Sequence, residues 1–113
     1  MQTLDKRTSD QRIYDINCAA LLDSAETIIS VSSVTADQGA LTFGAAAINT
    51  APVAYQDGST AAPGKVAQVQ VSGGVIPLGS PYLLCVIRAH LVTNINPSLE
   101  ATVQLRLIDN PVF

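Results

Sequence analysis

The sequence has no tryptophan, a single histidine and few charged residues, and these shortages exclude most chemistry. Charged side chains make up 13% of its 113 residues, whereas about 25% is usual for a soluble domain. The histidine, His90, has Arg88 and Val92 as its nearest neighbours on the same strand face and therefore no acid there. Catalysis needs several groups within hydrogen-bond reach. We therefore expect His90 to be a surface or interface residue and the chain not to be an enzyme.

Metal and cofactor motifs are also missing. The two cysteines, Cys18 and Cys85, have no further cysteine or histidine at ligand spacing and make a poor zinc site. In a reducing compartment, two buried thiols are favoured over a disulfide. The early aspartates are spread too widely for a calcium loop, and no helix pattern follows the Gly-containing turns to form a phosphate cradle. We expect no metal and no cofactor.

The net charge of −3 and the pI of about 4.7 argue against nucleic acid as a partner, because binding it needs a basic stripe. Lys6, Arg7 and Arg12 do cluster, but Asp5 and Asp10 lie between them. No apolar run approaches the roughly 20 residues that span a bilayer, and the polar N-terminus is unlike a signal peptide. We expect no membrane partner either.

What the sequence does contain is a clear β-hairpin over residues 82–109. Its second strand alternates strictly between apolar and polar residues. The apolar side chains of that strand are Leu99, Ala101, Val103, Leu105 and Leu107. The first strand is apolar on both faces over residues 82–86 and turns polar at Arg88 and His90. A strand that is apolar on both faces is central in its sheet, or its outer face meets another chain.

The rest of the chain predicts more strands, because short Val-, Ile- and Thr-rich runs are separated by turn residues about every ten positions. We predict an all-β fold, an immunoglobulin-like β-sandwich of about seven strands over residues 13–109. Residues 1–12 are expected to be a flexible polar arm that docks on a neighbour, so its deletion should leave the fold intact. Residues 110–113 are expected to be a tail with an apolar tip. The predicted core is Val69, Val71, Ile87, Val103 and Leu105.

Two features point to subunit contacts. Hydrophobic residues make up 48% of a weakly charged chain, so other subunits are expected to cover part of its surface. The role of Tyr82 is left open between a structural tyrosine corner, which is favoured, and an outward interface residue. The turn-rich segment over residues 56–64 is expected to be a mobile loop or a contact loop.

Four segments in order resemble a known protein family. They are Leu21-Leu22-Asp23-Ser24-Ala25-Glu26-Thr27-Ile28, Val69-Gln70-Val71-Ser72-Gly73-Gly74, Gly79 followed by Tyr82-Leu83-Leu84-Cys85, and Val103-Gln104-Leu105-Arg106-Leu107-Ile108-Asp109. Over residues 6–109 the chain resembles the small immunoglobulin-like virion proteins of tailed bacteriophages, of the fibre–tail adaptor or neck type. It departs from them in the turn over residues 94–98, where Gly-Arg-Thr is usual, and in having Cys85 three rather than four residues after Tyr82.

The resemblance implies a non-enzymatic structural virion protein, made in the host cytoplasm and carried in the virion. It would be an oligomeric connector in the neck or tail region that joins the tail or an adaptor to fibres. Its implied partners are further copies of itself and other virion proteins. The candidate interface residues are Lys6, Arg7, Arg12, Tyr55, Asp57, Arg88, His90 and Phe113. Alternatives are a capsid decoration protein and, less favoured, a host-glycan-binding module that uses the loop over residues 56–64 and Tyr55.

Overall fold

The computed structural model describes residues 3–108, and within them the chain forms strands, turns and loops without a helix. The strands are β1 (Thr3–Arg7), β2 (Arg12–Asn17), β3 (Ile28–Ala36), β4 (Leu41–Ile48), β5 (Val53–Ala54), β6 (Thr60–Ala61), β7 (Val66–Gly73), β8 (Tyr82–Thr93) and β9 (Leu99–Ile108). A four-stranded sheet in the order β1-β9-β8-β3 packs on a three-stranded sheet in the order β2-β7-β4. The predicted all-β sandwich is confirmed.

The hairpin of β8 and β9 has the register that its alternation predicts. Ile87 lies opposite Val103 and Cys85 opposite Leu105, so the apolar parities of both strands share the inner face. The turn is closed by Thr93, whose amide donates to the carbonyl of Asn96 at 2.8 Å. β8 lies between β9 and β3, but β3 pairs only with residues 87–93. The doubly apolar start over residues 82–86 therefore pairs with β9 alone, and its outer face is exposed at Tyr82 and Leu84.

All five predicted core residues are buried. Val69 and Val71 of β7 lie on the inner face of the three-stranded sheet, and Ile87, Val103 and Leu105 lie on the inner face of the other. Each large apolar side chain contributes about 1.5–3 kcal/mol when fully buried. Both cysteines are buried and not joined to each other, and Cys18 and Cys85 pack in the core as small apolar side chains.

The N-terminal segment corrects a prediction. Residues 3–7 are not a flexible arm but strand β1, which runs parallel to β9 with Thr3 opposite Gln104 and Arg7 opposite Ile108. Leu4 and Lys6 face inward, and Lys6 is only 1% exposed. The polar composition of this segment suggested an exposed arm. A lysine can nevertheless be buried when its amine donates hydrogen bonds to backbone carbonyls, and composition alone does not reveal this. The predicted tail over residues 110–113 lies outside the described residues.

The two remaining long connections differ in structure. Residues 74–81 form a loop, and the segment over residues 56–64, expected to be a mobile loop or a contact loop, contains the turn and the second strand of the β5–β6 hairpin. The hairpin turn is closed by the amide of Tyr55, which donates to the carbonyl of Ser59 at 2.9 Å. β4 carries a bulge between Phe43 and Ala46. Gly44 permits it, because a Cβ there would lie 2.6 Å from Oε1 of Gln70.

One buried side chain, Asn49, organises the segment after β4. Its amide nitrogen donates to the carbonyls of Ala51 at 2.9 Å and Ala62 at 3.0 Å. Its oxygen accepts hydrogen bonds from three consecutive backbone amides, those of Gly64, Lys65 and Val66. A buried amide with its hydrogen-bonding capacity filled in this way fixes the path of a loop that has little core of its own.

Candidate interaction surfaces

The outer face of the four-stranded sheet carries an apolar patch at one end. Tyr82, Leu84 and Val86 point outward from β8, with Tyr82 49% and Leu84 39% exposed. β3 pairs only with residues 87–93 of β8, so these side chains lie beyond the end of β3, and Tyr82 is opposite Ile108 at the end of β9. Tyr82 is thus an outward surface residue, and the favoured tyrosine-corner role is wrong. Exposed apolar groups at such a position are typical of an interface.

The same face becomes charged farther along β8. Glu100 of β9 lies directly opposite His90, and its carboxylate oxygens are 3.5 Å from Nε of Arg88 and 3.8 Å from Nε2 of His90. The acid that His90 lacks on its own strand is therefore supplied by the neighbouring strand. Exposed ion pairs contribute about 0–1 kcal/mol to stability, so these charges can pair with a partner at little cost to the fold.

A second surface, the N-terminal corner, comprises residues 5–12 and Arg106. Nε of Arg106 lies 2.9 Å from Oδ1 of Asp5, and Nε of Arg12 lies 3.8 Å from Oδ2 of Asp10. Asp5, Asp10 and Arg12 line an open depression of about 450 Å³ together with Arg7 and Lys6. The corner brings Arg7 and Arg12 together as exposed cations, as their clustering in the sequence suggested.

Lys6 belongs to this corner but is not an interface residue, which corrects the prediction. Its Nζ donates to the carbonyl oxygens of Arg7 at 2.7 Å and Gly73 at 2.6 Å. Burial lowers the pKa of the Lys6 amine, and the nearby Asp10 charge partly opposes that effect. The side chain stabilises the fold and does not face solvent.

Tyr55 and Asp57 lie together on the β5–β6 hairpin, beside a depression shared with Asn17 and Ala20. The Asp57 carboxylate accepts hydrogen bonds from the amide of Ser59 at 2.9 Å and its hydroxyl at 2.6 Å. The hydroxyl bond, more than the amide bond, lowers the pKa of Asp57. The Tyr55 hydroxyl is buried and finds no hydrogen-bond partner within residues 3–108, and burial raises its pKa.

The candidate interface residues therefore divide among three separate places. Arg7 and Arg12 are at the N-terminal corner, and Arg88 and His90 are on the outer sheet face. Tyr55 and Asp57 are on the β5–β6 hairpin. Phe113 lies outside the described residues. The sequence suggested one set because it gave no information on which strands are neighbours.

Sequence reasoning missed a groove beside β9. β1 pairs only with residues 104–108, so the first half of β9 extends beyond it. There a groove of about 400 Å³ opens between β9 and the end of β2. Its apolar lining residues are Ile16, Ala20, Leu21, Ala101 and Val103. The sequence signal that could have indicated this groove is Leu21, an apolar residue within a turn. In the structure Leu21 is 50% exposed.

At the opposite end of the sandwich, the loop over residues 74–81 projects an apolar tip. Leu78 is fully exposed and Val75 is 63% exposed. The loop is anchored at its start by the amide of Val75, which donates to the carbonyl of Gly39 at 2.8 Å. Its tip is thus an exposed apolar projection on a fixed base.

No cluster of three or more metal-binding side chains occurs among residues 3–108. Over the same range there is no helix of the length and hydrophobicity needed to cross a membrane. No family model, curated protein or solved structure matches the chain.

Proposed function

We propose that this chain is a structural virion protein of a tailed phage, an oligomeric connector in the neck or tail region that joins the tail or an adaptor to fibres. The observation that carries the proposal is the apolar patch at one end of the outer sheet face, where Tyr82 and Leu84 are exposed and Val86 is half-buried. Such a surface serves assembly, because its apolar area is removed from water when a partner binds.

The strand order supports the immunoglobulin-like type of sandwich that this family resemblance implies. The sheet β2-β7-β4 corresponds to strands B, E and D of an immunoglobulin domain, and β3-β8-β9 corresponds to C, F and G. β1 then adds a parallel edge strand next to β9. We propose this topology as the scaffold of the connector, with further copies and other virion proteins as its partners.

Composition supports the same function. Only 13% of the residues are charged, and apolar side chains are exposed on the sheet face and loops. Covering these apolar surfaces with another protein lowers the free energy of the system.

The test is peptide mass spectrometry on gradient-purified particles of the phage or lysogen that encodes the chain, with copy number measured against the major capsid protein. A few copies per particle support the connector. Abundance close to that of the capsid protein would overturn it in favour of the decoration protein. Absence from particles would overturn both virion functions.

A matched pair of variants tests the outer sheet face. Leu84→Lys places a charge in the apolar patch of that face and should reduce incorporation into particles more than about tenfold. Ile13→Lys places the same charge on the outer face of the other sheet, where Ile13 is 70% exposed, and should be incorporated normally. Equal incorporation of both variants would show that the outer sheet face is not the contact surface.

A further inference from the structure

The sandwich has four edge strands, and they differ in charge. β1 and β3 flank the four-stranded sheet, and β2 and β4 flank the three-stranded one. An edge strand presents unpaired backbone amides and carbonyls, which proteins protect with charged residues or prolines because another strand can pair there. β1 carries three charged residues, one of them the inward-facing Lys6, and β2 carries two. β3 and β4 carry neither a charge nor a proline.

Of the two uncharged edges, β3 has the longer regular stretch. Bulges also protect an edge, and the bulge of β4 divides that strand into two runs of three paired residues. The irregularities of β3 lie before Ser33, and residues 33–36 pair with β8 without a shift. The next amide, that of Asp37, donates to the carbonyl of Val86 on β8 at 3.2 Å. The open edge of β3 is therefore regular over residues 33–37.

The hydrogen bonds to β8 show which backbone groups of β3 face outward. In an antiparallel pair, residues that exchange hydrogen bonds alternate with residues whose amide and carbonyl point away. Asp37 bonds to β8, and so Thr35, two residues earlier, does as well. Val34 and Ala36 therefore direct their amides and carbonyls away from β8. Because β3 ends the sheet, these groups have no strand partner within residues 3–108.

We propose that two copies of this chain pair through β3, in antiparallel orientation about a two-fold axis at Thr35. Val34 of each copy lies opposite Ala36 of the other, and each of these pairs exchanges both of its backbone hydrogen bonds. The contact joins the two four-stranded sheets into one continuous sheet. This inference rests on the homo-oligomeric part of the proposed function and names the strand that makes the contact.

A second copy fits this edge because β3 is compatible with its own reversed image. A charge at the centre of a symmetric strand pair would face an identical charge, which is destabilising, and β3 has none. At the centre Thr35 meets its own counterpart, and threonine pairs across strands are favourable. The nearest charge, on Asp37, lies opposite Ser33 of the other copy and about 13 Å from its counterpart. Its carboxylate already accepts a hydrogen bond from the amide of Val86 at 2.8 Å.

The same pairing brings exposed apolar side chains to one place. The axis lies level with Arg88, and Ser30 lies opposite Val92, four residues from it. The axis therefore places Ser30 of the second copy level with Leu84, four residues away on the other side. Ile29, next to Ser30 in sequence, is 60% exposed, and Leu84 is 39% exposed. Both side chains then border the space beside the end of β3, so the contact continues into the apolar patch and removes part of it from water.

Proline tests the edge, because at an outward-facing position it removes an amide without breaking a bond within the sheet. The wild type should self-associate in sedimentation velocity, and Ala36→Pro should weaken that association at least about tenfold. Ala46→Pro is the matched control on β4. The amide of Asn49 donates to β7, so by the same alternation the amide of Ala46 faces outward. This control should associate like the wild type, and thermal unfolding of both variants establishes that the fold is kept.

A cysteine at the axis tests the register without a change at Ala36. Residues opposite each other at a position that is not hydrogen-bonded have Cα atoms about 4.5 Å apart, which a disulfide can span. With oxidised glutathione, Thr35→Cys should therefore form a disulfide-linked dimer. Ser33→Cys should not, because its two copies would lie about 13 Å apart along the paired strands. The buried Cys18 and Cys85 are common to both variants.

The inference is overturned if the wild type stays monomeric at all accessible concentrations, if Ala36→Pro associates like the wild type, or if Ser33→Cys links as readily as Thr35→Cys. If the wild type is monomeric when purified but present in particles, the proposed function stands without this inference. If the purified chain pairs as described but is absent from particles, the proposed function fails and the strand pair stands.

Discussion

The amine of Lys6 donates a hydrogen bond to the carbonyl oxygen of Gly73, 67 residues away in the chain, at 2.6 Å. Lys6 lies in β1 of the four-stranded sheet, and Gly73 ends β7 of the three-stranded sheet. The bond therefore joins the two layers of the sandwich at one corner. A charged donor makes a stronger hydrogen bond to a carbonyl than a neutral donor does, which is why a polar N-terminal segment becomes part of the fold.

Replacing Lys6 should destabilise the protein. In Lys6→Met the carbonyls of Arg7 and Gly73 lose their donor, and we expect the free energy of unfolding to fall by about 1–3 kcal/mol. Urea denaturation followed by circular dichroism measures it. Arg7→Met, at the exposed neighbouring position, is the control and should change stability by less than about 0.5 kcal/mol. Equal effects of the two substitutions would contradict the structural role of Lys6.

Deletion of residues 1–8 should also destabilise the fold, which reverses the expectation for a flexible arm. The truncation removes Lys6 and the partly buried Leu4, and it uncovers the edge of β9 over residues 104–108. We expect a loss on the order of 3 kcal/mol or more, seen as a lower urea midpoint. An unchanged midpoint would mean that these residues are an arm after all.

Asn49→Ala should be one of the most damaging single substitutions. It removes five side-chain hydrogen bonds, and although the Gly64 and Lys65 amides keep backbone partners, the Val66 amide and the Ala51 carbonyl lose the bond to this side chain. Each hydrogen bond contributes about 0.5–1.5 kcal/mol, and a buried group left unsatisfied costs about 1–3 kcal/mol. We expect a loss of at least about 3 kcal/mol in thermal or urea unfolding. Thr50→Ala, at the exposed adjacent position, should stay within about 0.5 kcal/mol. A small effect at both positions would show that water replaces the amide.

Leu105→Ala tests the core. The side chain is fully buried between the sheets, so its truncation should cost about 2–5 kcal/mol through lost burial and a residual cavity. Gln104→Ala on the opposite face of the same strand is the matched control and should cost far less. If the two variants unfolded at the same urea concentration, the inner face of β9 would be wrongly assigned.

Cys18 should make stability depend on alkaline pH. Burial raises the pKa of its thiol from 9.0 to about 11, so between these values the folded protein keeps a proton that the unfolded chain releases. The contribution of Cys18 is therefore complete below about pH 9 and is lost as the pH rises through about 11. Cys18→Ala should flatten that decline in urea unfolding.

The lowered pKa of Lys6 acts in the opposite sense below pH 10.5, because the folded protein releases that proton first. The comparison therefore uses the difference between wild type and Cys18→Ala at pH 7 and at pH 10, in which the Lys6 contribution cancels. A difference that is the same at both pH values would contradict the buried, neutral thiol.

The sequence does not show which residues on different strands lie next to each other. Nε2 of His90 lies 3.8 Å from a carboxylate oxygen of Glu100 because the register of β8 and β9 places the two residues opposite each other, whereas a single strand shows only its own neighbours. The groove beside β9 exists because β1 is shorter than the strand it joins, and no local pattern encodes that difference.

The sequence by itself determined the all-β class, the hairpin of β8 and β9 and the inner faces of β7, β8 and β9. These follow from side-chain alternation, which is a local property of the backbone. Only the tertiary structure decided that Lys6 is buried, that Asn49 holds a loop and that Leu78 and the groove lie at opposite ends. Each of these depends on hydrogen bonds or strand neighbours far apart in the chain, which alternation does not specify.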